Sequence, residues 1–184
     1  MATTSADLLK LPKSVEEYFP YSAVRPSQDE FINTIYEALE SGNHVLLEGS
    51  NGLGKTVAAL SACLPIAKEH DLRVLYVAKT HRQHDRVIEE LDAISKRMNV
   101  SGLSLRGRCN MCLNPLITRH TADARAAMEI CELLKNREQC SYHLNMERKS
   151  DRYADILLHV SSKPYKASEI LELCRAENFC PYEV

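Results

Sequence analysis

Residues 45–56 read VLLEGSNGLGKT: a short apolar strand (Val45, Leu46, Leu47), a glycine-rich turn, then the start of a helix. Gly49, Gly54, Lys55 and Thr56 occupy every fixed position of G-x-x-x-x-G-K-[ST], with Ser50, Asn51, Gly52 and Leu53 between them. Such a loop needs glycines because the backbone must curl until successive N–H groups face one anion. The helix that starts there adds its positive end and its unpaired amides. On this reading the loop holds a nucleoside triphosphate, Lys55 reaches the outer phosphates and the Thr56 hydroxyl is a ligand for Mg²⁺. The alternative is a glycine-rich turn that matches by chance; a strand before it and a helix after it favour the phosphate loop.

Working outward, Ser27 is expected to cap a helix running to about Ser41, with Phe31, Ile32, Ile35, Tyr36 and Leu39 on one face and Gly42 as the stop. Arg25 and Gln28 at its start read, taken alone, as solvated polar residues. A helix is expected from about Lys55 to Lys68, with Pro65 bending or shortening its last turn. RVLYVA, residues 73–78, is almost continuously apolar, as in a parallel strand covered on both faces. The polar turn Lys79-Thr80-His81-Arg82-Gln83 follows, then a helix to about Met98. His81 and His84 are ligand types, though solvated helix-start histidines explain them as well. A third strand is expected over Ser101–Leu105. Strand–helix–strand–helix is the order of a doubly wound sheet, whose ligands gather at the carboxyl ends of the strands. The expected fold class is therefore α/β with a parallel sheet.

The chain has 184 residues, 45% apolar and 26% charged, with a formal net charge of −2. That is ordinary for a globular protein and shows no global basic surplus, so a nucleic-acid site must be a local patch. Residues 1–14, MATTSADLLKLPKS, lack the basic and long apolar parts of a secretory signal. No uninterrupted apolar run is long enough to span a bilayer. These features point to an intracellular protein.

After residue 106 the character changes to cysteine-rich, mixed-charge and mostly helical, with helices expected at about 121–136, 150–159 and 167–177. Six of the seven cysteines (Cys109, Cys112, Cys131, Cys140, Cys174, Cys180) lie there, and Cys63 stands apart. In a reducing compartment such a group suits a metal or cluster better than disulfides. Cys109-x-x-Cys112 looks like half a zinc site, but no second tight pair follows, and His120, His143 and His159 complete no zinc spacing. Spacing leaves an iron–sulfur cluster, zinc and plain buried thiols all open.

Several stretches together resemble one family. FPYSAVRPSQ, LLEGSNGLGKT, LYVAKTHRQ, LRGRCNMCLNP, the isolated Cys131 and Cys140, and FCPYEV occur in the order found in XPD-type superfamily 2 DNA helicases that carry an iron–sulfur cluster, in their archaeal-like form. The resemblance covers nearly the whole chain from Val15. It implies an incomplete P-loop (RecA-like) motor domain 1 over residues 1–106, and a helical iron–sulfur insertion over 107–184 that ends before the D-E-A-H box. Arg25 and Gln28 match the adenine-contacting Q-motif. Gly49 to Thr56 match motif I, with Lys55 and Thr56 as its catalytic members. Thr80, His81 and Arg82 match the DNA-touching motif Ia, and Cys112, Cys131, Cys140 and Cys180 match the four ligands of a [4Fe–4S] cluster. Arg108 matches a basic residue beside the first ligand and, with Arg106, Arg119, Arg125, Arg137, Arg148 and Lys149, is a candidate for a DNA path.

The resemblance further implies ATP, Mg²⁺ and single-stranded or forked DNA as partners, 5′-to-3′ unwinding in DNA repair, and a monomer in the cytoplasm, or the nucleus of a eukaryote. Cys109 and Cys174 are surplus thiols, either of which could replace a neighbouring ligand. Without the later motifs and the remaining helicase domains, the chain alone is expected to bind nucleotide weakly and not to turn it over.

Overall fold

The structure is a computed structural model that describes residues 11–119 and 123–184. Residues 1–10, on which most of the signal-peptide reading rests, and His120, Thr121 and Ala122, where one helix was expected to begin, lie outside that range. The chain divides into two compact units, Met1–Val100 and Ser101–Val184.

In the first unit α1 (Lys13–Tyr18), α2 (Gln28–Glu40), α3 (Lys55–Glu69) and α4 (His81–Ser95) carry the packing. Val15 and Phe19 from the N-terminal segment, Ile32 and Ile35 from α2, and Val57, Ala58 and Ala62 from α3 form its main core. Full burial of a side chain such as Ile32 stabilises by about 1.5–3 kcal/mol. The buried Ser61 hydroxyl donates to the Tyr18 carbonyl at 3.0 Å, tying α3 to the end of α1. Pro65 neither breaks nor shortens α3, which runs on to Glu69. Ser27 precedes α2 as expected, but in the left-handed region at φ 61°, and its side chain makes no capping bond.

The strands expected at Val45–Leu47 and Arg73–Ala78 belong to no ladder. Leu46 is 98%, Leu75 88% and Val77 80% exposed. An apolar run supplies the side chains of a strand, but its ladder bonds must come from another segment, and no described segment pairs with these two. The described fold is thus mostly helical, and the doubly wound sheet is not assembled within it.

The second unit contains one parallel pair, β1 (Gly102–Leu103) against β2 (Pro164–Tyr165), in the register Gly102 to Pro164 and Leu103 to Tyr165. This is all that forms of the strand expected over 101–105. Between the two strands lie the short helices α5 (Arg108–Met111) and α6 (Pro115–Thr118), then α7 (Ala124–Asn136), α8 (Ser141–Arg148) and α9 (Ser150–Ser161); α10 (Ala167–Glu177) follows β2. Met111, Ile156, Val160, Tyr165, Ile170, Cys174 and Phe179 make one core, and Ile117, Ala127 and Cys131 a second. No helix among the described residues is long and apolar enough to cross a membrane.

Candidate functional site

Two sites emerge, one in each unit. In the first, the glycine loop leads into α3 through Gly54, which precedes the helix at φ 82°, with Gly52 at φ 89°. Both angles fall where a Cβ is penalised. A Cβ at Gly54 would also come within 2.4 Å of the Gln28 amide nitrogen, and one at Gly49 within 2.9 Å of Leu53. A side chain at Gly49 or Gly54 would therefore have to displace a neighbouring side chain, while open space surrounds Gly52.

Gln28, only 2% exposed, is bonded at both ends of its amide. Its oxygen accepts from the Arg25 backbone N–H at 3.1 Å, and its nitrogen donates to the Gly54 carbonyl at 3.4 Å. The Arg25 guanidinium donates to the Gly52 carbonyl. The start of α2 is thereby fastened to the loop. The Lys55 ammonium reaches back to the carbonyls of Gly49 at 2.8 Å and Ser50 at 2.9 Å. Thr56 stands in the first turn of α3 and lines the same cleft of about 460 Å³, along with Arg25, Gln28, Gly52, Gly54 and Lys55. Asn51 is exposed, and Ser50 and Leu53 complete the turn through a bond from Leu53 N–H to the Ser50 carbonyl at 3.4 Å.

Tyr21, Arg86 and Glu90, to which sequence reasoning gave no role, also line the cleft. Glu90 is 4% exposed, yet both its oxygens are engaged. The Tyr21 hydroxyl donates to one at 2.6 Å and the Arg86 guanidinium to the other. The hydrogen bond to Glu90 holds the Tyr21 phenol above its usual range, and the neighbouring Glu90 charge raises Arg86. Glu90 sits within a helical pattern that gives no hint of a partner 69 residues away, so only the packed structure reveals the network.

The turn ahead of α4 is organised by a capping box. Thr80 Oγ1 accepts from the Gln83 N–H at 3.3 Å, while the Gln83 side chain accepts from the Thr80 N–H at 3.1 Å. His81 and Arg82 are exposed beside it, and His84 contacts the Ala78 carbonyl at 3.0 Å. Neither histidine belongs to a metal-ligating group among the described residues.

The second site is a small cavity of about 20 Å³ in the second unit. Its lining includes Cys112, Cys131, Cys140 and Cys180, brought from the end of α5, from α7, from the residue preceding α8 and from the segment after α10. Cys109 and Cys174 are not among its lining residues. The Cys109 thiol donates to the Asp123 carbonyl at 3.4 Å, and Cys174 is fully buried in the apolar core. Burial pushes the Cys174 thiol up to about 12 and Cys180 up to about 11, and raises Cys112.

Donors converge on this cavity. The Arg108 guanidinium donates to Cys131 Sγ at 2.8 Å and lies 4.5 Å from the centre of the Tyr182 ring. Arg108 is thus engaged with one of the cysteines that line the cavity. Asn114 approaches Cys112 Sγ through its backbone N–H at 3.4 Å and Cys140 Sγ through its side chain at 3.8 Å. Lys135 pairs with Glu183 at 2.5 Å, and the Tyr153 hydroxyl donates to the Glu183 carbonyl at 2.7 Å; together they hold the segment that carries Cys180. Elsewhere in the unit Arg125 pairs with Glu129 and Lys149 donates to the Glu177 carbonyl. Among the described residues no three His, Cys, Asp or Glu side chains are grouped so as to hold a single metal ion.

A lysine-bearing glycine loop in the first unit and a cavity lined by four cysteines in the second occur together in this chain. The chain belongs to the DEAD_2 family, which matches residues 76–184. It is similar to the general transcription and DNA repair factor IIH helicase subunit XPD/RAD3 of Saccharomyces cerevisiae, with 23% identity over 89% of this chain. The XPD subunit of Dictyostelium discoideum is 25% identical over 90% of it. A probable ATP-dependent helicase of Methanocaldococcus jannaschii is 33% identical over 52% of this chain and 14% of its own length. The chain thus corresponds to the N-terminal part of an XPD-type helicase. It spans 23% of the length of the yeast relative.

Proposed function

We propose that this chain is part of an ATP-dependent DNA helicase of the XPD type, one that moves 5′ to 3′ along single-stranded DNA, separates the duplex of forked DNA in DNA repair, and acts as a monomer in the cytoplasm or nucleus. Residues 1–106 would be the start of a RecA-like motor domain and 107–184 its iron–sulfur insertion. The loop from Gly49 to Thr56 would hold the ATP phosphates, Lys55 as a point charge and Thr56 as a Mg²⁺ ligand. Arg25 and Gln28 would meet the base, and Thr80, His81 and Arg82 the DNA backbone. The unpaired apolar runs at 45–47 and 73–78 support the reading of an unfinished sheet.

The single observation that carries the reading is the gathering of four separately encoded cysteines around one cavity in a DEAD_2 chain. Cys112, Cys131, Cys140 and Cys180 would hold a [4Fe–4S] cluster, whose chemistry is to cross-link four segments through thiolate–iron bonds. The donor set fits: four thiols, with Arg108 and Asn114 directed at three of them, suit an anionic sulfur-rich group. Seating it requires the small void to widen. The rival is a zinc-dependent nucleic-acid-binding module, or an unrelated P-loop ATPase. A structural zinc ion takes four ligands at one point, and among the described residues no three His, Cys, Asp or Glu side chains are grouped to hold a single ion.

Anaerobic purification with metal analysis decides between them. The expected product is brown and carries about four irons per chain, as a [4Fe–4S] centre requires. A colourless protein with one stoichiometric zinc overturns the cluster. In the longer protein, Lys55→Ala is expected to abolish ATP-dependent unwinding while leaving the colour unchanged. Undiminished unwinding would remove Lys55 from the nucleotide site.

A further inference from the structure

His143 lies on α8, three residues after Cys140, and lines the cavity shared by the four cysteines. Its Nδ1 is enclosed by protein and has no hydrogen-bond partner among the described residues. Two neighbouring polar side chains are already engaged. Asn114 accepts from the Leu116 N–H and donates toward Cys140, and Lys135 is paired with Glu183. Folded proteins rarely leave a buried ring nitrogen unmade unless a bound group supplies the partner. The only acceptors such a group would bring to a cavity of four thiols are sulfurs.

We infer that His143 donates its Nδ1–H to a sulfur of the iron–sulfur group held in this cavity, and so sets that group's reduction potential; this rests on the cluster reading above. Reduction adds negative charge to the cluster, and an N–H aimed at a sulfur stabilises the more negative state. Hydrogen bonds to the sulfurs are among the determinants of such potentials. His143 is then a positioning and tuning residue, distinct from the four thiolate ligands. It is invisible to ligand spacing because it completes no metal motif.

The test is an anaerobic redox titration of the loaded chain, read by bleaching of its visible absorption, alongside iron content and melting temperature. His143→Phe keeps the ring volume and removes the donor; His143→Asn restores an N–H near the position of Nδ1. His143→Phe is expected to keep its iron and to shift to lower potential by about tenfold in the one-electron equilibrium, about 59 mV. His143→Asn is expected to return most of that shift. An unchanged potential in an iron-loaded His143→Phe overturns the inference. Should His143→Phe lose its cluster, an Asn variant that keeps iron near the native potential supports the hydrogen bond, and one that loses iron equally overturns it. A wild-type chain without iron–sulfur absorption shows instead that the cluster reading itself has failed, before any variant is made.

Discussion

The two units solve the problem of a small core in opposite ways. The first, up to Val100, packs helices around Phe19 and Ile32 and leaves its apolar extended segments, 45–47 and 73–78, largely exposed apart from Leu47, which packs against the core. The second, from Ser101, closes its single ladder and surrounds a cavity whose walls contain most of its cysteines. Helices satisfy their backbone groups internally, whereas strands depend on neighbours. Extended apolar segments that lack a partner strand are therefore left largely exposed. A unit built around a cross-link can be locally complete, provided the cross-link is made.

The largest expected difference between the units comes from the cysteine cavity. Cys140→Ser should abolish the visible colour and the cooperative melting of the second unit, while amide-exchange protection in α2 and α3 stays unchanged. Loss of protection across both units would erase the distinction drawn here. Next is Gly54→Ala. A left-handed residue with a Cβ costs about 1–2 kcal/mol, and the added contact with Gln28 displaces the fastening between α2 and the loop. Nucleotide affinity should fall with it while iron content is retained, measurable by calorimetry and metal analysis.

Cys174→Ser is smaller and sharpens the second site from within. A hydroxyl placed in the apolar core around Phe179 should lower stability by about 1–2 kcal/mol in denaturant unfolding, with iron per chain unaffected. Loss of iron in that variant would make Cys174 a ligand in place of one of the four. Smallest is Leu46→Ser together with Val77→Ser. Both side chains are exposed, so the pair should change the stability of this chain by no more than about 0.5 kcal/mol each. In the longer protein the same changes should cost about 2–5 kcal/mol, the range for truncating a buried apolar side chain. Equal effects in both would mean that no sheet closes over them.

Helix periodicity was readable because it is local. The expected helix at 55–68 is observed as Lys55–Glu69 and the one at 167–177 as Ala167–Glu177. Strand pairing was not, because Gly102–Leu103 meets Pro164–Tyr165 across some sixty residues that no local pattern spans. The short helices on either side of Asn114 and the helix after Cys140 were also missed, since each is too brief for a repeating apolar face.

What the sequence determined by itself is the chemistry available: glycines spaced for a tight turn, Lys55 and Thr56 at its exit, and a supply of thiols in the second unit. Those depend on residue type and short spacing alone. Which groups meet was decided only by tertiary structure. Packing brings Glu90 to Tyr21, joins Gln28 to Gly54, gathers Cys112, Cys131, Cys140 and Cys180 while leaving Cys109 and Cys174 aside, and encloses His143 Nδ1 in the same cavity wall. The reason is physical: a side chain's type is written residue by residue, but a buried polar atom acquires its partner from whatever distant segment the core draws against it.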